Sequence, residues 1–351
     1  MSYRLCFIVN SLKNRSGVER VLSLLANYLS EEGYEITVLN RDTNFDSVAF
    51  DLDKRVKVIT LNGNILSFSK KIREHFINNK YDLALVHNMG KLTPFFALSK
   101  KDIPTISLEH IAFKTRPNWL KTISKILYKN IDHVVTINSD DLKSFKEIGC
   151  SKVSVIPNPS SFPSISLDEV NINNTKKVLA IGRLTYQKNF HALIEAWQLL
   201  NDKTLGWHLE IYGDGEDKDS LNDLIVKYKL ENVFIKANTS SLSEVYKQAA
   251  FLVMSSRYEG FGMVLVEALS FGLPIISFNC PHGPSEIIDD SVNGFLVEDQ
   301  NVEKLSQAML QLIENPELKN KLSQNALKSS YKYDINNIGQ YWKDLFKDMV
   351  N

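Results

Sequence analysis

The sequence predicts an α/β protein of two doubly wound domains, each a parallel sheet covered by helices, that face each other across a cleft. Its 351 residues exceed what one hydrophobic core usually organises. Short apolar, β-branched runs alternate along the chain with longer segments of helical period, which is typical of parallel sheets between helices. A stretch rich in proline, serine and asparagine at residues 157–177 interrupts that alternation once and indicates a linker.

The alternation predicts strands and helices on both sides of the interruption. Before it, strands are expected at 4–10, 35–40, 56–60, 82–87, 105–110, 133–138 and 153–158, and helices at 18–32, 69–79, 117–131 and 139–147. After it, strands are expected at 177–184, 207–215, 232–237, 250–256, 274–280 and 294–298, and helices near 189–201, 216–229, 262–271 and 301–315.

These elements divide the chain into a first domain (1–160), a linker (161–175) and a second domain (176–335). A last helix (336–351) is expected to pack back on the first domain. Its apolar side chains fall on one face: Ile338, Tyr341, Trp342, Leu345 and Met349.

Composition indicates a soluble globular protein, with 44% hydrophobic and 23% charged residues. The formal net charge is zero, but residues 1–160 carry about +7 and residues 161–351 about −7. The first domain therefore either faces an anionic partner or has a solvated basic surface.

Cysteine usage and the absence of a long apolar run predict a cytoplasmic protein. The three cysteines, Cys6, Cys150 and Cys280, are odd in number and far apart, so neither a disulfide framework nor a zinc site is expected. The chain starts with a short apolar run that reads as a strand, without a signal-peptide or membrane-spanning pattern. At most, we expect peripheral contact with the inner face of a membrane.

The turn after the first strand argues against a nicotinamide dehydrogenase. A dinucleotide-binding fingerprint needs G-x-G-x-x-G at this point, and the turn offers only Gly17. Gly17 at a helix start would still let the backbone approach an anion, although an ordinary loop glycine is the alternative.

Two cations follow the first strand of the second domain, where ligands of open α/β sheets gather. In "IGRLTYQKN", Arg183 and Lys188 lie between a strand and a helix, a place where a planar guanidinium and a mobile ammonium can clamp a diphosphate. On this motif alone, solvated surface charges are equally plausible.

The stretch "EGFGMVLVEA" (259–268) places two glutamates around an apolar helix. The first helical amides, at Gly262, Met263 and Val264, would point at a bound phosphate. Glu259 would lie beside whatever the phosphate carries, and Glu267 could accept hydrogen bonds from a ribose diol. The alternatives are a charge favoured by the helix dipole for Glu259 and a carboxylate that snorkels to the surface for Glu267.

Seven motifs in this order resemble the retaining glycosyltransferases of family 4, which have the GT-B fold of two Rossmann-like domains. They are "SGVERVL", "SLEH", "VIPNP", "GRLTYQKN", "YGDGED", "EGFGMVLVEA" and "NCPHGPSEII", and they extend through essentially the whole chain. The "CPHGPSEII" variant is most similar to the bacterial subgroup that builds capsule, O-antigen (lipopolysaccharide), lipid-linked oligosaccharide or teichoic-acid glycans.

The resemblance implies a metal-independent hexosyltransferase that uses a UDP-sugar donor and no cofactor. Arg183, Lys188 and the helix amides would hold the diphosphate, Glu259 the transferred sugar and Glu267 the ribose. Gly17 would close over the diphosphate, and His110 would lie near the donor sugar and the acceptor hydroxyl. The catalytic set is then Glu259, His110, Arg183 and Lys188.

The base would rest near Asn238 and Thr239, where the family often has a glycine that this chain lacks. Two D-x-D sequences imitate metal-dependent transferases, at residues 51–53 and 217–219. The first lies in a charged loop and the second at a polar helix start, so no metal ligand is expected.

The acceptor implied by the resemblance is a glycan on undecaprenyl diphosphate. Residues 119–129 space Leu120, Ile123 and Leu127 along one helical face and lysines along another. This pattern suits a helix that lies on an anionic lipid surface, or an ordinary helix that packs on the core and exposes its lysines to solvent. A nucleic-acid partner is not expected, since the pI is near 7 and no basic-aromatic stripe is present.

These observations favour transfer of a hexose or N-acetylhexosamine that forms an α-glycosidic bond. Retention without an evident second nucleophile indicates front-face displacement, in which the leaving diphosphate takes the acceptor proton. The alternatives are a UDP-sugar epimerase of the same fold and a nucleotide-binding scaffold without turnover.

Overall fold

The computed structural model describes residues 3–42, 47–98, 103–170, 175–239 and 241–350. The chain divides into two compact units. Unit 1 contains Met1–Ser161 and Ile335–Asn351, and unit 2 contains Phe162–Asp334.

Unit 1 is built on a parallel sheet that, in its described residues, has seven strands in the order β3-β2-β1-β4-β5-β6-β7. The strands are β1 (Arg4–Val9), β2 (Glu35–Asn40), β3 (Lys57–Thr60), β4 (Leu83–Asn88), β5 (Thr105–Glu109), β6 (His133–Thr136) and β7 (Val153–Val155). The helices between them are α1 (Gly17–Glu31), α2 (Ile65–Asn78), α3 (Leu92–Ala97), α4 (Asn118–Leu127) and α5 (Ser139–Glu147). Because both faces are covered, central strands such as β1 are apolar and buried almost throughout.

Unit 2 repeats this plan with six parallel strands among its described residues, in the order β10-β9-β8-β11-β12-β13. They are β8 (Lys177–Ile181), β9 (His208–Tyr212), β10 (Val233–Lys236), β11 (Phe251–Met254), β12 (Ile275–Phe278) and β13 (Gly294–Val297). The helices are α6 (Phe190–Gln198), α7 (Lys218–Lys227), α8 (Leu242–Lys247), α9 (Met263–Ser270), α10 (Pro284–Ile287), α11 (Val302–Glu314) and α12 (Pro316–Ser330). Its core surrounds the buried Trp197.

The structure confirms the predicted fold class of two doubly wound parallel-sheet units. In each sheet the strand order reverses beside the first strand, between β1 and β4 and between β8 and β11. Ligands of such sheets bind at this reversal, beyond the carboxyl ends of the strands. The loops that follow β8 and β11 carry the residues of most chemical interest.

Several predicted boundaries were wrong. The helix expected to start at residue 69 begins at Ile65, the helix expected over 189–201 ends at Gln198, and the strand expected to end at residue 110 ends at Glu109. Helices α3, α8 and α12 were not foreseen. Most of these differences are at element ends, where hydrophobic periodicity carries little information.

The last helix, α13 (Ile335–Val350), packs against α1 within unit 1. At Gly339 the two helices approach so closely that an added Cβ would lie 2.0 Å from Tyr28 Cε1. Tyr341, expected on the apolar face, is exposed instead. The buried stripe repeats every four residues and consists of Ile338, Trp342 and Phe346.

The segment expected to be a linker packs partly on unit 2, and its residues 171–174 lie outside the described residues. The ring of Phe162 lies 5.2 Å from that of Phe271, centroid to centroid. The backbone N–H of Ile165 donates to the carbonyl of Ser270 at 2.9 Å. Unit 2 therefore begins directly after Ser161.

Candidate active site

An ion pair joins the loops that follow β8 and β11 in unit 2. Lys188 Nζ donates to Glu259 Oε1 at 2.6 Å, and the two side chains are only 14% and 7% exposed. Ser256 Oγ donates to the same carboxylate oxygen at 2.6 Å. A pair so far removed from water stabilises a fold only when its charges are well matched and hydrogen-bonded, which is the case here.

Three further hydrogen bonds fix the two loops against each other. The backbone N–H of Arg257 donates to the carbonyl of Gln187 at 2.8 Å, and Gln187 Nε2 donates to the carbonyl of Tyr258 at 3.0 Å. Ser255 Oγ donates to the carbonyl of Lys188 at 2.9 Å. The loops therefore set the positions of Lys188 and Glu259 before any ligand binds.

Strained backbone adjoins the pair. Asn189 (φ 51°) and Gln300 (φ 58°) are both left-handed, which costs energy for residues other than glycine. Their side chains bond to each other at 2.8 Å, and Arg257 donates to Asn189 Oδ1 at 2.8 Å and to Gln300 Oε1 at 3.2 Å. This side-chain cluster holds in place the turn that carries Lys188, and no motif in the sequence predicted it.

Arg183 lies on the same loop as Lys188 but is not drawn into the ion pair. Its guanidinium is exposed, and Nη2 lies 3.5 Å from Gln187 Oε1, the limit of a hydrogen bond. Arg183 thus presents its charge to solvent at the carboxyl end of β8.

Helix α9 begins immediately after the Lys188–Glu259 pair. Gly262 is its N-cap with a φ of 93°, a conformation that favours glycine. The amides of Met263 and Val264 lie in the first turn, where backbone N–H groups have no partner inside the helix and carry partial positive charge. Gly262, Met263 and Val264 therefore lie at the start of this helix, as the sequence predicts.

Glu267 is buried inside the same helix and does not snorkel to the surface. Its Oε2 accepts a hydrogen bond from the Tyr246 hydroxyl at 2.8 Å. The Tyr246 ring stacks on Phe271 at 5.1 Å between centroids. Tyr246 is a partner that sequence reasoning missed, because it comes from α8, a helix that was not foreseen.

Asn238 and Thr239 follow β10, the edge strand of the sheet. Asn238 is exposed, and Thr239 is half-buried with its Oγ1 accepting from the backbone N–H of Ser241 at 3.1 Å. In the described structure, neither residue is hydrogen-bonded to Glu259 or Glu267.

Gly17 is the first residue of α1 in unit 1, and the chain caps this helix start itself. Ser16 Oγ accepts from the N–H of Val18 at 3.4 Å and donates to the carboxylate of Glu19. Asn14 also donates to Glu19, at 3.3 Å. A carboxylate of the chain thus already lies at the helix start where the sequence suggested an anion.

His110 is the first residue after β5 and is nearly buried. Its backbone N–H donates to the carbonyl of Asn88 at 3.0 Å. Its Nε2 lies 3.2 Å from Nδ1 of His87, the next-to-last residue of β4, and the rings stack with 16° between their planes. Burial lowers the pKa of His110 to about 3, so the imidazole is neutral near pH 7.

A buried ionic network lies beside His110, centred on Glu109. Arg116 Nη2 donates to Glu109 Oε2, Tyr128 donates to Oε1 at 2.7 Å, and Asn88 Nδ2 donates to Oε2 at 2.8 Å. Arg116 follows His110 by six residues, so this network anchors the loop between β5 and α4. Sequence reasoning missed it, although a glutamate within an apolar strand was a signal for a buried partner.

Comparison with known proteins decides the family. Residues 15–160 match a family model described as Glycosyltransferase Family 4, and residues 165–329 match one described as Glycosyl transferases group 1. The amylovoran biosynthesis glycosyltransferase AmsD of Erwinia amylovora is 30% identical over 98% of this chain and 99% of its own length. This chain belongs to the family 4 glycosyltransferases.

Two further proteins are similar to this chain over nearly its whole length. An α-1,4-N-acetyl-D-galactosaminyltransferase of Campylobacter jejuni, whose name gives an undecaprenol-linked glycan as its acceptor, is 26% identical over 99% of both chains. The structure of Anabaena HepE with UDP-glucose has a TM-score of 0.80, with 19% identity over 99% of this chain and 100% of HepE. The fold is therefore GT-B, and the chain is related to enzymes of bacterial polysaccharide biosynthesis.

The D-x-D sequences of this glycosyltransferase differ from each other in their surroundings. Asp53 forms an ion pair with Arg55 at 2.7 Å, whereas Asp219 lies in the first turn of α7. Across the described ranges, no group of three or more histidines, cysteines, aspartates or glutamates is placed to hold a metal ion.

The cysteines are buried and unpaired, and burial raises the pKa of Cys280 to about 12.

Helix α4 presents an apolar surface that the sequence reading did not identify. Leu120, on the face expected to be apolar, is buried, and Ile123 and Leu127 are half-buried, so this face packs on unit 1. Trp119 and Ile126 are 49% and 65% exposed. In the part of the chain that the structure describes, no helix is long and apolar enough to cross a membrane.

Proposed function

We propose that this glycosyltransferase transfers a hexose or N-acetylhexosamine from a UDP-sugar to a growing, undecaprenyl-diphosphate-linked bacterial surface glycan, with retention and formation of an α-glycosidic bond. The observation that supports it most is the Lys188–Glu259 pair, fixed between the loops after β8 and β11 and next to the N-terminus of α9. This is where a doubly wound sheet binds its ligand and where a diphosphate finds a cation and free amides together.

The donor diphosphate would be neutralised by side chains and backbone without a metal. Lys188 supplies one positive charge, the exposed Arg183 a second, and the amides of Met263 and Val264 add the partial charge of the helix start. These groups stabilise the charge that develops on the leaving diphosphate, which is the main demand of the reaction.

The two buried glutamates would hold the donor's hydroxyl groups. Glu259, oriented by Lys188 and Ser256, has lone pairs left to accept hydrogen bonds from the transferred sugar. Glu267, held by Tyr246, would accept a hydrogen bond from the ribose. Structures of the HepE relative with UDP-glucose and with UDP support a UDP-linked donor.

Retention is proposed to follow a front-face path, in which the leaving diphosphate takes the proton of the acceptor hydroxyl. The protein then positions the acceptor and stabilises charge, while His110 contributes a neutral imidazole near the sugar. The acceptor class is supported by the Campylobacter jejuni relative, whose name gives an undecaprenol-linked glycan as its acceptor.

Titration calorimetry of the purified protein with UDP, GDP and NAD, without added metal, tests the donor assignment. UDP is expected to bind, and Glu267→Gln to weaken it by about tenfold, because one side-chain hydrogen bond to the ribose contributes up to about 1.5 kcal/mol. Glu210→Gln is the matched control, since Glu210 is a shielded glutamate at the middle of β9. NAD binding, or no nucleotide binding by folded protein, would contradict the proposal.

Turnover assays separate transfer from the two alternatives. A transferase releases UDP from UDP-sugars faster when a lipid-linked acceptor is added, whereas an epimerase converts the sugar without one. A scaffold would bind UDP and do neither.

We also propose that α4 brings the enzyme to the membrane that holds the acceptor lipid. Trp119 and Ile126 are exposed apolar side chains on a helix that also carries Lys121 and Lys125, a combination that suits an anionic surface. The protein is expected to float with phosphatidylglycerol vesicles at low salt, and Trp119→Ser/Ile126→Ser to lose most of that binding. If this variant floats as well as the wild type, α4 is not responsible. Tyr331→Ser removes another exposed aromatic side chain and is the control, which is expected to float like the wild type.

A further inference from the structure

His87 pairs with His110, and the proposed chemistry gives His87 itself no role. His87 is the next-to-last residue of β4, and His110 follows the neighbouring strand β5 directly. The register of the two strands brings His87 opposite Leu108 and Asn88 opposite Glu109. His87 Nδ1 lies 3.2 Å from His110 Nε2, and the ring of Phe7 covers His87 at 5.4 Å between centroids. His87 is 1% exposed.

One hydrogen lies between the two rings. Burial lowers the pKa of both imidazoles, with His110 adding to the effect on His87, so both are neutral near pH 7. A neutral imidazole carries a single N–H, and the short contact therefore needs a donor on one ring and a bare nitrogen on the other.

The far nitrogen of His87 decides which ring donates. His87 Nε2 is buried and has no hydrogen-bond partner in the described structure. If His110 were the donor, His87 would carry its hydrogen on Nε2 and bury an N–H without an acceptor. If His87 donates through Nδ1, only a bare ring nitrogen is left unpaired. Orphaned buried N–H groups are rarer than under-used acceptors, so the second arrangement is favoured.

We infer that His87 is a positioning residue that donates from Nδ1 to His110 Nε2 and thereby holds His110 as its Nδ1–H tautomer, presenting a hydrogen-bond donor to an oxygen of the donor sugar. The inference deepens the proposed function and rests on His110 belonging to the donor site. A ring held in this way meets a hydroxyl oxygen with an N–H, whereas the opposite tautomer would face it with a lone pair. Nδ1 of His110 has no side-chain partner among the described residues, so this N–H is available.

Nitrogen-15 NMR of the histidine rings reads the tautomer directly, without turnover. In the wild type, His110 is expected to carry its hydrogen on Nδ1, the minor tautomer of free imidazole side chains. His87→Leu removes the donor, so His110 is expected to revert to the Nε2–H form and kcat to fall by about tenfold, the worth of one neutral hydrogen bond. The affinity for UDP, measured by calorimetry, is expected to stay unchanged.

Two further variants separate positioning from packing. His87→Asn places an amide N–H near the position of Nδ1 and is expected to restore both the tautomer and most of kcat. His133→Asn is the control, because His133 Nε2 bonds to Ser154 Oγ at 2.9 Å in the same sheet but far along it from the pair. Its kcat is expected to equal that of the wild type.

A wild-type spectrum with the hydrogen of His110 on Nε2 would overturn the inference. So would an unchanged tautomer and kcat in His87→Leu. If His87→Leu does not fold, the wild-type and His87→Asn spectra still decide the point. A protein that binds no UDP would refute the proposed function, while the ring spectra would still report the tautomer.

Discussion

Replacement of Lys188 by alanine is expected to lower kcat/KM for sugar transfer by roughly 100-fold, because a charge-assisted hydrogen bond to the diphosphate contributes about 1.5–3 kcal/mol. The variant also leaves Glu259 buried without its cation, so the carboxylate loses part of the force that orients it. Initial rates of UDP release, with the thermal unfolding midpoint measured on the same sample, report both effects.

Unit 2 contains a second Lys–Glu pair that serves as a matched control. Lys177 Nζ lies 2.9 Å from Glu210 Oε2, and both side chains are 12% exposed, close to the values for Lys188 and Glu259. Lys177 is the first residue of β8, at the end of the strand opposite the candidate site. Lys177→Ala should lower the unfolding midpoint to a similar extent and leave kcat/KM unchanged. If both variants lose activity in proportion to stability, Lys188 has a structural role only.

Arg116→Leu is expected to destabilise unit 1 by about 3–5 kcal/mol, because it leaves the buried carboxylate of Glu109 without its positively charged partner. The two side chains are 1% and 0% exposed. Burial by itself would lower the pKa of Arg116, but Tyr128 and Glu109 outweigh it and raise that pKa, so the guanidinium stays charged. Urea unfolding followed by circular dichroism measures the loss.

Two comparisons test the buried ion pair as the cause. Arg116→Leu combined with Glu109→Gln removes both charges and should recover part of the stability. Arg55→Leu breaks a pair whose side chains are 57% and 22% exposed, and it should cost far less stability than Arg116→Leu because solvent screens the two charges. Equal losses in Arg116→Leu and Arg55→Leu would show that burial of the first pair contributes nothing.

The elements that can be read from the sequence are those set by local pattern. Each described strand corresponds to an apolar run, and the central strands need one because they are buried on both faces. Helix α3 was missed because its six residues include a proline, and α12 because its surface is mostly polar. In both helices tertiary packing rather than periodicity decides the structure.

The charged residues of the candidate site were found because they follow strands, where sheet topology concentrates ligands. Their partners were not found. His87 reaches His110 through the register of β4 and β5, Ser256 reaches Glu259 within a loop, and Tyr246 reaches Glu267 from a separate helix. Such pairings depend on three-dimensional placement, for which spacing along the chain gives no rule.

Because α13 completes unit 1, the order of translation affects the order in which the two units can fold. The sheet of this unit is translated before unit 2, whereas the helix that covers α1 is translated after unit 2. At roughly 5–20 residues per second, the stretch between Ser161 and Ile335 takes about 9–35 seconds to translate. Throughout that time the surface of α1 around Tyr28 lacks the helix that covers it, so unit 2 can finish folding before unit 1.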